Sequence, residues 1–285
     1  MINKIGLFVL ILFVYSCGNT VSSKISYPVI PSSVSFAGEK VPLEEQDTKE
    51  RLERELLVNQ NYHTSTMLIY RHIGRYRDFI ISILKENEVP EDFFYLAIAE
   101  SSLNPNAVSS VGAMGIWQFM KGTAEGYGLE INNYVDERRN LAKATRAACR
   151  YLKEAHKEFG SWTMAAASYN RGVRGLKSAV EAQKESNYYR LYLNQETYRY
   201  IFRIIALKII LSNPGDYNFD ISEKDFYPQY KLKIVTVKET ISDLPEFAKI
   251  HKTTYKDLVL HNPWLKTGKY NFDPSGKSYD FLIPE

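Results

Sequence analysis

The sequence predicts a mainly α-helical protein that ends in a small β-α-α-β unit. Apolar residues recur at three- and four-residue steps from about residue 48 to residue 212, which is the spacing of helices that bury one face. Glycine clusters and prolines interrupt this spacing and separate one helix from the next. Alternation of apolar and polar residues, which is typical of strands, starts only near residue 230. The chain therefore reads as a helical domain followed by a module of different character.

The composition is that of an ordinary globular protein and excludes several classes. Of the 285 residues, 45% are hydrophobic and 24% are charged, so wholesale disorder is not expected. A net charge of +3 leaves no strong basic field, so nucleic acid is not expected as a partner. Two cysteines are too few for a disulfide framework or a four-thiolate zinc site, and the five histidines are scattered. We therefore expect no metal and no other cofactor.

The first 16 residues have the layout of a secretory signal. Lys4 precedes an apolar run from Ile5 to Tyr15, which is too short to cross a membrane because a spanning helix needs about 20 residues. Ser16, a small residue, comes directly before Cys17, where the apolar run stops. This arrangement resembles the bacterial lipobox, although Tyr15 replaces a usual small residue. The resemblance implies a signal peptide at 1–16, lipidation of Cys17, and an exported lipoprotein of the outer membrane that faces the periplasm. A plain signal peptide or an uncleaved anchor is the alternative.

Two further features follow the signal. Residues 17–47 contain Ser, Thr, Val, Pro and Gly without clear periodicity, so they predict a tether between the lipid and the domain. Cys149 would be the single remaining thiol. It lies in the apolar, helix-like stretch ATRAACRYL, and we interpret it as a buried small hydrophobe rather than a nucleophile.

The helical domain is predicted to extend from residue 48 to residue 215. Its second helix follows from the apolar spacing between Thr66 and Leu84. Val89-Pro90-Glu91-Asp92 ends one helix and begins another, because proline is tolerated in the first turn and acids suit the positive helix N-terminus. Asn213-Pro214-Gly215-Asp216 marks the turn that closes the domain.

Glu100 is the residue that carries the predicted chemistry. It closes the strongly apolar helix FFYLAIAE and is followed by Ser101, Ser102 and a Leu-Asn-Pro turn. Burial of an ionised carboxylate is costly, so the pKa of Glu100 should rise and keep a proton available near neutral pH. Such a carboxyl group serves as a general acid toward a glycosidic oxygen. An exposed helix-end residue without a role is the alternative.

Six motifs resemble, in order and spacing, those of the bacterial lytic transglycosylases, the family 1 soluble type and especially its membrane-bound D subgroup. They span about residues 65–210 and are Glu100-Ser101 with Asn104-Pro105, Gly112 to Met120, Tyr127 to Leu129, Val135 to Arg139, Ala167 to Gly172, and Glu196 to Ile201. Ser168 and Arg171 depart from the small residues usual at their places, beside an intact Tyr-Asn pair. The resemblance implies a lysozyme-like, goose-type helical catalytic domain.

The resemblance also implies the site. Glu100 would be the single catalytic acid and base. Residues implied in substrate binding are Ser101, Met114, Trp117, Gln118, Tyr169, Asn170, Glu196 and Tyr198. A helix cap is the alternative for Ser101, a structural salt bridge for Glu196, and core packing for at least one of Trp117 and Phe119. Residues 136–139 are expected to form a structural charge cluster.

The implied reaction needs one carboxyl group, whereas glycoside hydrolysis usually takes two. Glu100 would protonate the oxygen between N-acetylmuramic acid and N-acetylglucosamine in peptidoglycan glycan strands. It would then take the proton of the C6 hydroxyl, which closes a 1,6-anhydro ring without water or metal. Two alternatives stay open: a lysozyme-like hydrolase in which Asp136 or another acid activates water, and a catalytically silent cell-wall binding lipoprotein.

Residues 230–285 resemble a LysM module, the small β-α-α-β unit that binds glycans containing N-acetylglucosamine. KLKIVTV and SYDFLIPE predict its strands, and residues 240–262 predict two short helices split near His251. Glu239 and Pro245 depart from the family pattern. A module that only packs on the catalytic domain is the alternative to one that binds glycan.

Overall fold

The computed structural model describes residues 26–266, 268 and 270–285, so the predicted signal peptide and Cys17 lie outside the described residues. The helices and strands, in chain order, are β1 (Ser35–Phe36), β2 (Glu39–Lys40), α1 (Gln46–Asn61), α2 (His63–Glu86), α3 (Phe93–Ser101), α4 (Lys121–Gly126), α5 (Leu141–Phe159), α6 (Trp162–Arg171), α7 (Val173–Gln183), α8 (Gln195–Ser212), β3 (Leu232–Val237), α9 (Leu244–Ile250), α10 (Tyr255–His261) and β4 (Tyr279–Pro284). Short 3-10 segments cover Glu137–Arg139, Tyr188–Arg190, Pro214–Tyr217 and Glu223–Asp225. The predicted fold class, mainly helical with a C-terminal β-α-α-β unit, is confirmed. In the described part of the chain, no helix has the length and apolar character needed to cross a membrane.

Helix α8 lies at the centre of the helical domain and packs against α1, α3 and α6. Its apolar residues surround most of its circumference, as expected for a helix enclosed by others. Ile201, Ile204 and Ile205 are completely buried. The helix begins at Asn194, whose side-chain oxygen accepts the backbone N–H of Thr197 at 3.0 Å. This central helix fixes the places of the three helices around it.

Helix α3 is a short, buried helix that ends at a left-handed residue. Phe93, Phe94 and Leu96 are wholly buried against the rest of the core. The chain leaves the helix at Ser102, which has the left-handed backbone conformation (φ 53°) common at helix C-termini. Glu100 therefore stands in the last turn of an apolar helix, as predicted.

Helix α6 follows α5 after a tight turn. Gly160 ends α5 with a φ of 69°, a conformation that costs glycine little, and the Ser161 hydroxyl then accepts the N–H of Met164 at the start of α6. Three consecutive alanines, 165–167, are completely buried and allow close helix packing. The C-terminal end of α6 consequently carries the Tyr169-Asn170 pair toward α8.

The prediction of a tether over residues 17–47 is wrong for its described part. Residues 26–45, here called the N-terminal strap, form the β1–β2 hairpin and pack on the helical domain. Phe36 is 0% exposed within the main core. Asp92 accepts the backbone N–H of Ala37 at 2.7 Å, and the Lys208 ammonium donates to the carbonyl of Ser35 at 2.8 Å. The hairpin also corrects the expectation of no strand before residue 230, since two-residue strands leave no alternating pattern to detect.

The C-terminal module consists of β3 and β4, paired antiparallel over the full length of both strands, with α9 and α10 packed on them. Leu258, Phe272 and Phe281 are among its wholly buried side chains. Asn262, at the end of α10, donates to the carbonyl of Leu282 and accepts its N–H, both at 2.8 Å. This amide holds the second helix to the strand in the way that a paired strand would.

The module is joined to the helical domain by more than the chain connection. Val135 of the helical domain is 0% exposed and belongs to the core of the module. It forms an antiparallel bridge with Leu265. The connecting residues before β3 lie on α2, where Gly74 leaves room for Phe226 and the N–H of Tyr227 binds the carbonyl of Arg71 at 2.9 Å. The two units thus share contacts along residues 130–138 and along α2.

The burial of Phe36 predicts a large effect of Phe36→Ala. Loss of the ring from a filled core should lower the free energy of unfolding by about 3–5 kcal/mol, measured by chemical denaturation. Tyr27→Ala is the matched control, because Tyr27 belongs to the same strap but is 83% exposed. Equal stability of the two variants would show that the strap does not contribute to the folded domain.

Candidate active site

Glu100 is half-buried where α3, α6 and α8 meet, and its carboxyl group is desolvated by the surrounding side chains. Burial raises its pKa to about 7. The hydrogen bond from the Tyr200 hydroxyl and the charge of Arg203 act in the opposite direction, while the charge of Glu196 raises the pKa further. The group therefore exchanges its proton in the neutral pH range, which is the requirement for acid and base roles in one cycle.

One face of α8 supplies the partners of Glu100. Glu196, Tyr200 and Arg203 follow at steps of four and three residues, so they lie along one side of the helix. Tyr200 is buried, and its hydroxyl donates a hydrogen bond to Oε1 of Glu100. Tyr200 was not among the site residues predicted from the sequence, although its helical spacing from Glu196 was a signal that could have identified it.

Tyr198 has a packing role in the structure instead of the predicted substrate contact. Tyr198 is two residues from Glu196, so it projects to another side of α8, toward α1. Its hydroxyl donates to Oδ1 of Asp47 at 2.7 Å, and the guanidinium of Arg51 lies 3.4 Å from its ring centroid. The structure therefore places Tyr198 in the packing of α1 on α8 and not beside Glu100.

Residues 107–119, here called the glycine loop, follow α3 and have an unusual backbone. Gly112, Gly115 and Gln118 all have positive φ angles, of 84°, 79° and 48°. Met114 and Phe119 exchange backbone hydrogen bonds at 3.1 and 3.2 Å. A Cβ on Gly115 would lie 2.0 Å from a backbone oxygen, so glycine is required there for the close approach as well as for the φ angle.

Two hydroxyl groups attach the glycine loop to the helices. The Ser101 hydroxyl donates to the carbonyl of Ile116 at 2.8 Å, and the Tyr169 hydroxyl donates to the carbonyl of Trp117 at 2.8 Å. Ser101 also contacts the carbonyl of Ala97 at 3.3 Å. Ser101 thus connects the loop to the end of α3, next to Glu100. The bond to Ile116 differs from the predicted substrate role, because the Ser101 hydroxyl donates its proton to a carbonyl of the loop.

The side chain of Trp117 is likewise buried and does not make the predicted contact with sugar. Its indole is 0% exposed, and its N–H donates to the Thr145 hydroxyl at 2.9 Å. Phe119 is buried as well. Core packing, the alternative reading, therefore applies to both side chains, and Trp117 acts on the site only through its backbone carbonyl.

Met114 and Gln118 are half-buried side chains of the glycine loop. The Gln118 amide nitrogen donates to the carbonyls of Gly115 at 2.9 Å and Ala107 at 3.2 Å. The Met114 sulfur accepts from Arg138 at 3.1 Å. Both side chains stabilise the loop. Because both are also partly exposed, the predicted substrate contacts of Met114 and Gln118 stay predictions.

Tyr169, Asn170 and Glu196 lie where the end of α6 meets the start of α8. Burial raises the pKa of the Tyr169 hydroxyl, and the nearby charge of Glu100 adds to this effect. The Asn170 amide donates to Glu196 at 3.1 Å and accepts from the Thr197 hydroxyl at 2.8 Å. These bonds lock the end of α6 to the start of α8. Glu196 accordingly has an amide partner rather than the salt bridge that was the alternative.

Two other residues considered from the sequence, Asp136 and Cys149, have structural roles. Asp136 is buried in a salt bridge with Arg138, at 2.7 Å, as expected for a structural charge cluster. Burial raises the pKa of the Cys149 thiol to about 11, so it stays protonated and packs as an apolar group. No group of three or more His, Cys, Asp or Glu side chains suited to a metal ion occurs among the described residues.

The raised pKa of Glu100 predicts a pH-dependent stability gain in Glu100→Gln. The unfolded chain loses this proton near the ordinary pKa of 4.5, whereas the folded protein retains it up to about 7. Ionisation therefore costs stability as the pH rises through this window, and glutamine removes the cost. The variant should exceed the wild type in unfolding free energy at about pH 8, with the difference shrinking toward about pH 4. A difference that does not change with pH in denaturation experiments would contradict the raised pKa.

Two family profiles match this chain. The profile of the transglycosylase SLT domain matches residues 59–192, and that of the soluble lytic transglycosylase C-terminal LysM-like domain matches residues 233–285. Together they cover the glycine loop, Glu100, the end of α6 and the C-terminal module. Helix α8 lies outside both matches.

Curated relatives agree with the profiles. Membrane-bound lytic murein transglycosylase D of Escherichia coli (strain K12) is 30% identical over 199 residues, which are 67% of this chain and 43% of that protein. A putative tributyltin chloride resistance protein of Alteromonas sp. (strain M-1) is 30% identical over 114 residues, 39% of this chain and 55% of that protein. The chain thus spans about half the length of these relatives. It carries an SLT transglycosylase domain followed by a soluble lytic transglycosylase C-terminal LysM-like domain, and it is homologous to membrane-bound lytic murein transglycosylase D.

Proposed function

We propose that this protein is a peptidoglycan lytic transglycosylase that cleaves the β-1,4 bond between N-acetylmuramic acid and N-acetylglucosamine. The observation that carries the proposal is the carboxyl group of Glu100, whose pKa of about 7 and bond from Tyr200 suit a single acid and base. The SLT domain and the relationship to a murein transglycosylase support the substrate class.

The first step uses the protonated form of Glu100. Its proton passes to the glycosidic oxygen, the bond from that oxygen to C1 of N-acetylmuramic acid breaks, and the leaving sugar departs with a neutral hydroxyl group. Positive charge develops at C1, where the oxygen of the N-acetyl group of the same sugar stabilises it. The desolvated position of Glu100 favours this step because it holds the proton on the acid until the glycosidic oxygen is present.

The second step uses the carboxylate that remains. Glu100 accepts the proton of the C6 hydroxyl while the C6 oxygen forms a bond to C1, giving a 1,6-anhydro ring and restoring the acid. No water is consumed. The Tyr200 hydroxyl and the charge of Arg203 stabilise the carboxylate that exists between the two steps. Burial favours the protonated acid that starts and ends the cycle, so both effects on the pKa of Glu100 are used.

The alternative of a lysozyme-like hydrolase requires a second acid that activates water. Asp136 is poorly suited to this role, because its carboxylate is committed to Arg138. Burial acts to raise the pKa of Asp136, but hydrogen bonds and charge from Arg138 outweigh it and lower that pKa. The charge of Glu196 raises the pKa of Glu100, so Glu196 is the nearby carboxylate to test as the second acid of a hydrolase. The reaction products separate the two activities.

We further propose that the protein is an exported lipoprotein, anchored through Cys17 in the outer membrane and facing the periplasm. The apolar run that stops at Cys17 supports this assignment. Relationship to a membrane-bound murein transglycosylase agrees with a membrane-associated location. Cys17→Ser should move the protein from the membrane fraction to the soluble fraction and abolish acyl labelling. Unchanged labelling of the variant would refute lipidation at this residue.

The activity assay is the central test. Glu100→Gln should reduce release of fragments from purified peptidoglycan by at least about 100-fold, the loss expected when a general acid is removed. Mass spectrometry of the wild-type products should find 1,6-anhydro ends. The control is Glu158→Gln, which removes an exposed carboxylate paired with Lys177 and should retain wild-type activity.

Each outcome has a distinct meaning. Wild-type rates in Glu100→Gln would refute the catalytic assignment, and reducing ends in place of 1,6-anhydro ends would establish the hydrolase. A wild-type protein that sediments with peptidoglycan but releases nothing would establish the silent binding protein.

A further inference from the structure

Residues 130–138, here called the bridging segment, connect the C-terminal module to the glycine loop. On the module side the segment pairs like an added strand. The N–H of Asp136 binds the carbonyl of Trp264 at 2.8 Å, and the N–H of Lys266 binds the carbonyl of Tyr134 at 2.8 Å. Val135, between them, is buried in the core of the module. This continuous pairing fixes the backbone of the segment relative to the module.

A carboxylate strengthens the same contact. Glu130 accepts from the Lys277 ammonium and from the Tyr279 hydroxyl, each at 2.8 Å, and both donors belong to the module. Burial acts to raise the pKa of Glu130, but the bonds from Lys277 and Tyr279 prevail and lower that pKa. Within the segment, the N–H of Glu137 binds the carbonyl of Glu130 at 2.9 Å, so the two ends of the segment are closed on each other.

On the opposite side of the bridging segment, Arg138 binds the glycine loop. Its guanidinium holds both oxygens of Asp136, at 2.9 and 2.7 Å. The remaining donors reach the carbonyl of Gly112 at 2.9 Å, the carbonyl of Phe119 at 3.2 Å and the sulfur of Met114 at 3.1 Å. A planar guanidinium suits this division of donors between two segments better than an ammonium group would.

The glycine loop needs such outside contacts. Its three positive φ angles are costly or entropically unfavourable, so the loop holds one conformation only when its surroundings impose it. Ser101 attaches the loop to the turn that carries Glu100, and Arg138 attaches it to the bridging segment. Each of these attachments restricts the motion of the loop close to Glu100.

We propose that Asp136 and Arg138 are positioning residues for substrate binding, and that the C-terminal module braces the glycine loop through them. The module then supports the glycine loop, in addition to the glycan binding that its resemblance to LysM modules implies. The inference rests on the proposed function, because the loop matters only if it contacts the glycan strand. The brace itself is a property of the fold and can be measured without activity.

Hydrogen exchange on the full chain tests the brace. Val135→Ala removes a side chain of the bridging segment from the core of the module, and Val237→Ala makes the same change in the same core at the end of β3, outside the segment. Amides of residues 107–119 should exchange about tenfold faster in Val135→Ala, since local opening follows local stability. In Val237→Ala they should exchange at the wild-type rate. An unchanged rate in Val135→Ala, or equal acceleration in both variants, would overturn the brace.

Kinetics on soluble glycan strands test the positioning role. Asp136→Asn should raise KM about tenfold while kcat changes less than about threefold, because misplacement of a binding loop weakens substrate contacts. The pH profile of kcat should keep the midpoint set by Glu100. The matched control is Glu55→Gln, which removes another buried carboxylate paired with arginine, Arg199, away from the loop. It should leave KM unchanged.

The outcomes separate this inference from the proposed function. Equal KM values in the two variants would overturn the positioning role, as would a loss confined to kcat. If the wild type lacks transglycosylase activity, the proposed function fails, while the exchange experiment still decides whether the module braces the loop.

Discussion

The carboxyl group of Glu100 is held between two opposed effects, and this balance depends on the arrangement of the helical domain. Burial at the end of an apolar helix disfavours the charge, and the Tyr200 hydroxyl with the charge of Arg203 restores part of its stability. Both effects require that α3 and α8 pack at a fixed distance. The buried apolar surface of α8 secures this packing, so the central helix serves stability and acid strength together.

Local sequence predicted the acid but not all of its partners. The position of Glu100 and its raised pKa followed from eight residues of apolar helix, because desolvation there depends on near neighbours. The choice between Tyr198 and Tyr200 depended on the rotation of α8 about its axis, which a motif match does not reveal. Spacing from Glu196 would have selected Tyr200. Trp117 was assigned to the groove by its place in a motif, yet its indole packs against Thr145 in the core.

Long-range contacts explain the other differences. The N-terminal strap has no period because it contributes single side chains, such as Phe36, and single backbone bonds to distant helices. Its order depends on partners more than 50 residues away, as for Ala37 with Asp92. The insertion of Val135 into the module was hidden for the same reason, since the sequence shows two separate units. Helices and the C-terminal strands were predictable because their periodicity is local.

The candidate active site combines features that are unfavourable for folding when taken singly. A desolvated acid with a raised pKa and a loop with positive φ angles both lower stability. Each is attached to an element with a large buried surface: the acid to α3 and α8, the loop to the bridging segment and the module. Arg138 shows how this works, since one buried guanidinium satisfies two loop carbonyls and an internal carboxylate. Without Asp136 that guanidinium would be an uncompensated buried charge, so this ion pair supports the link between the glycine loop and the bridging segment.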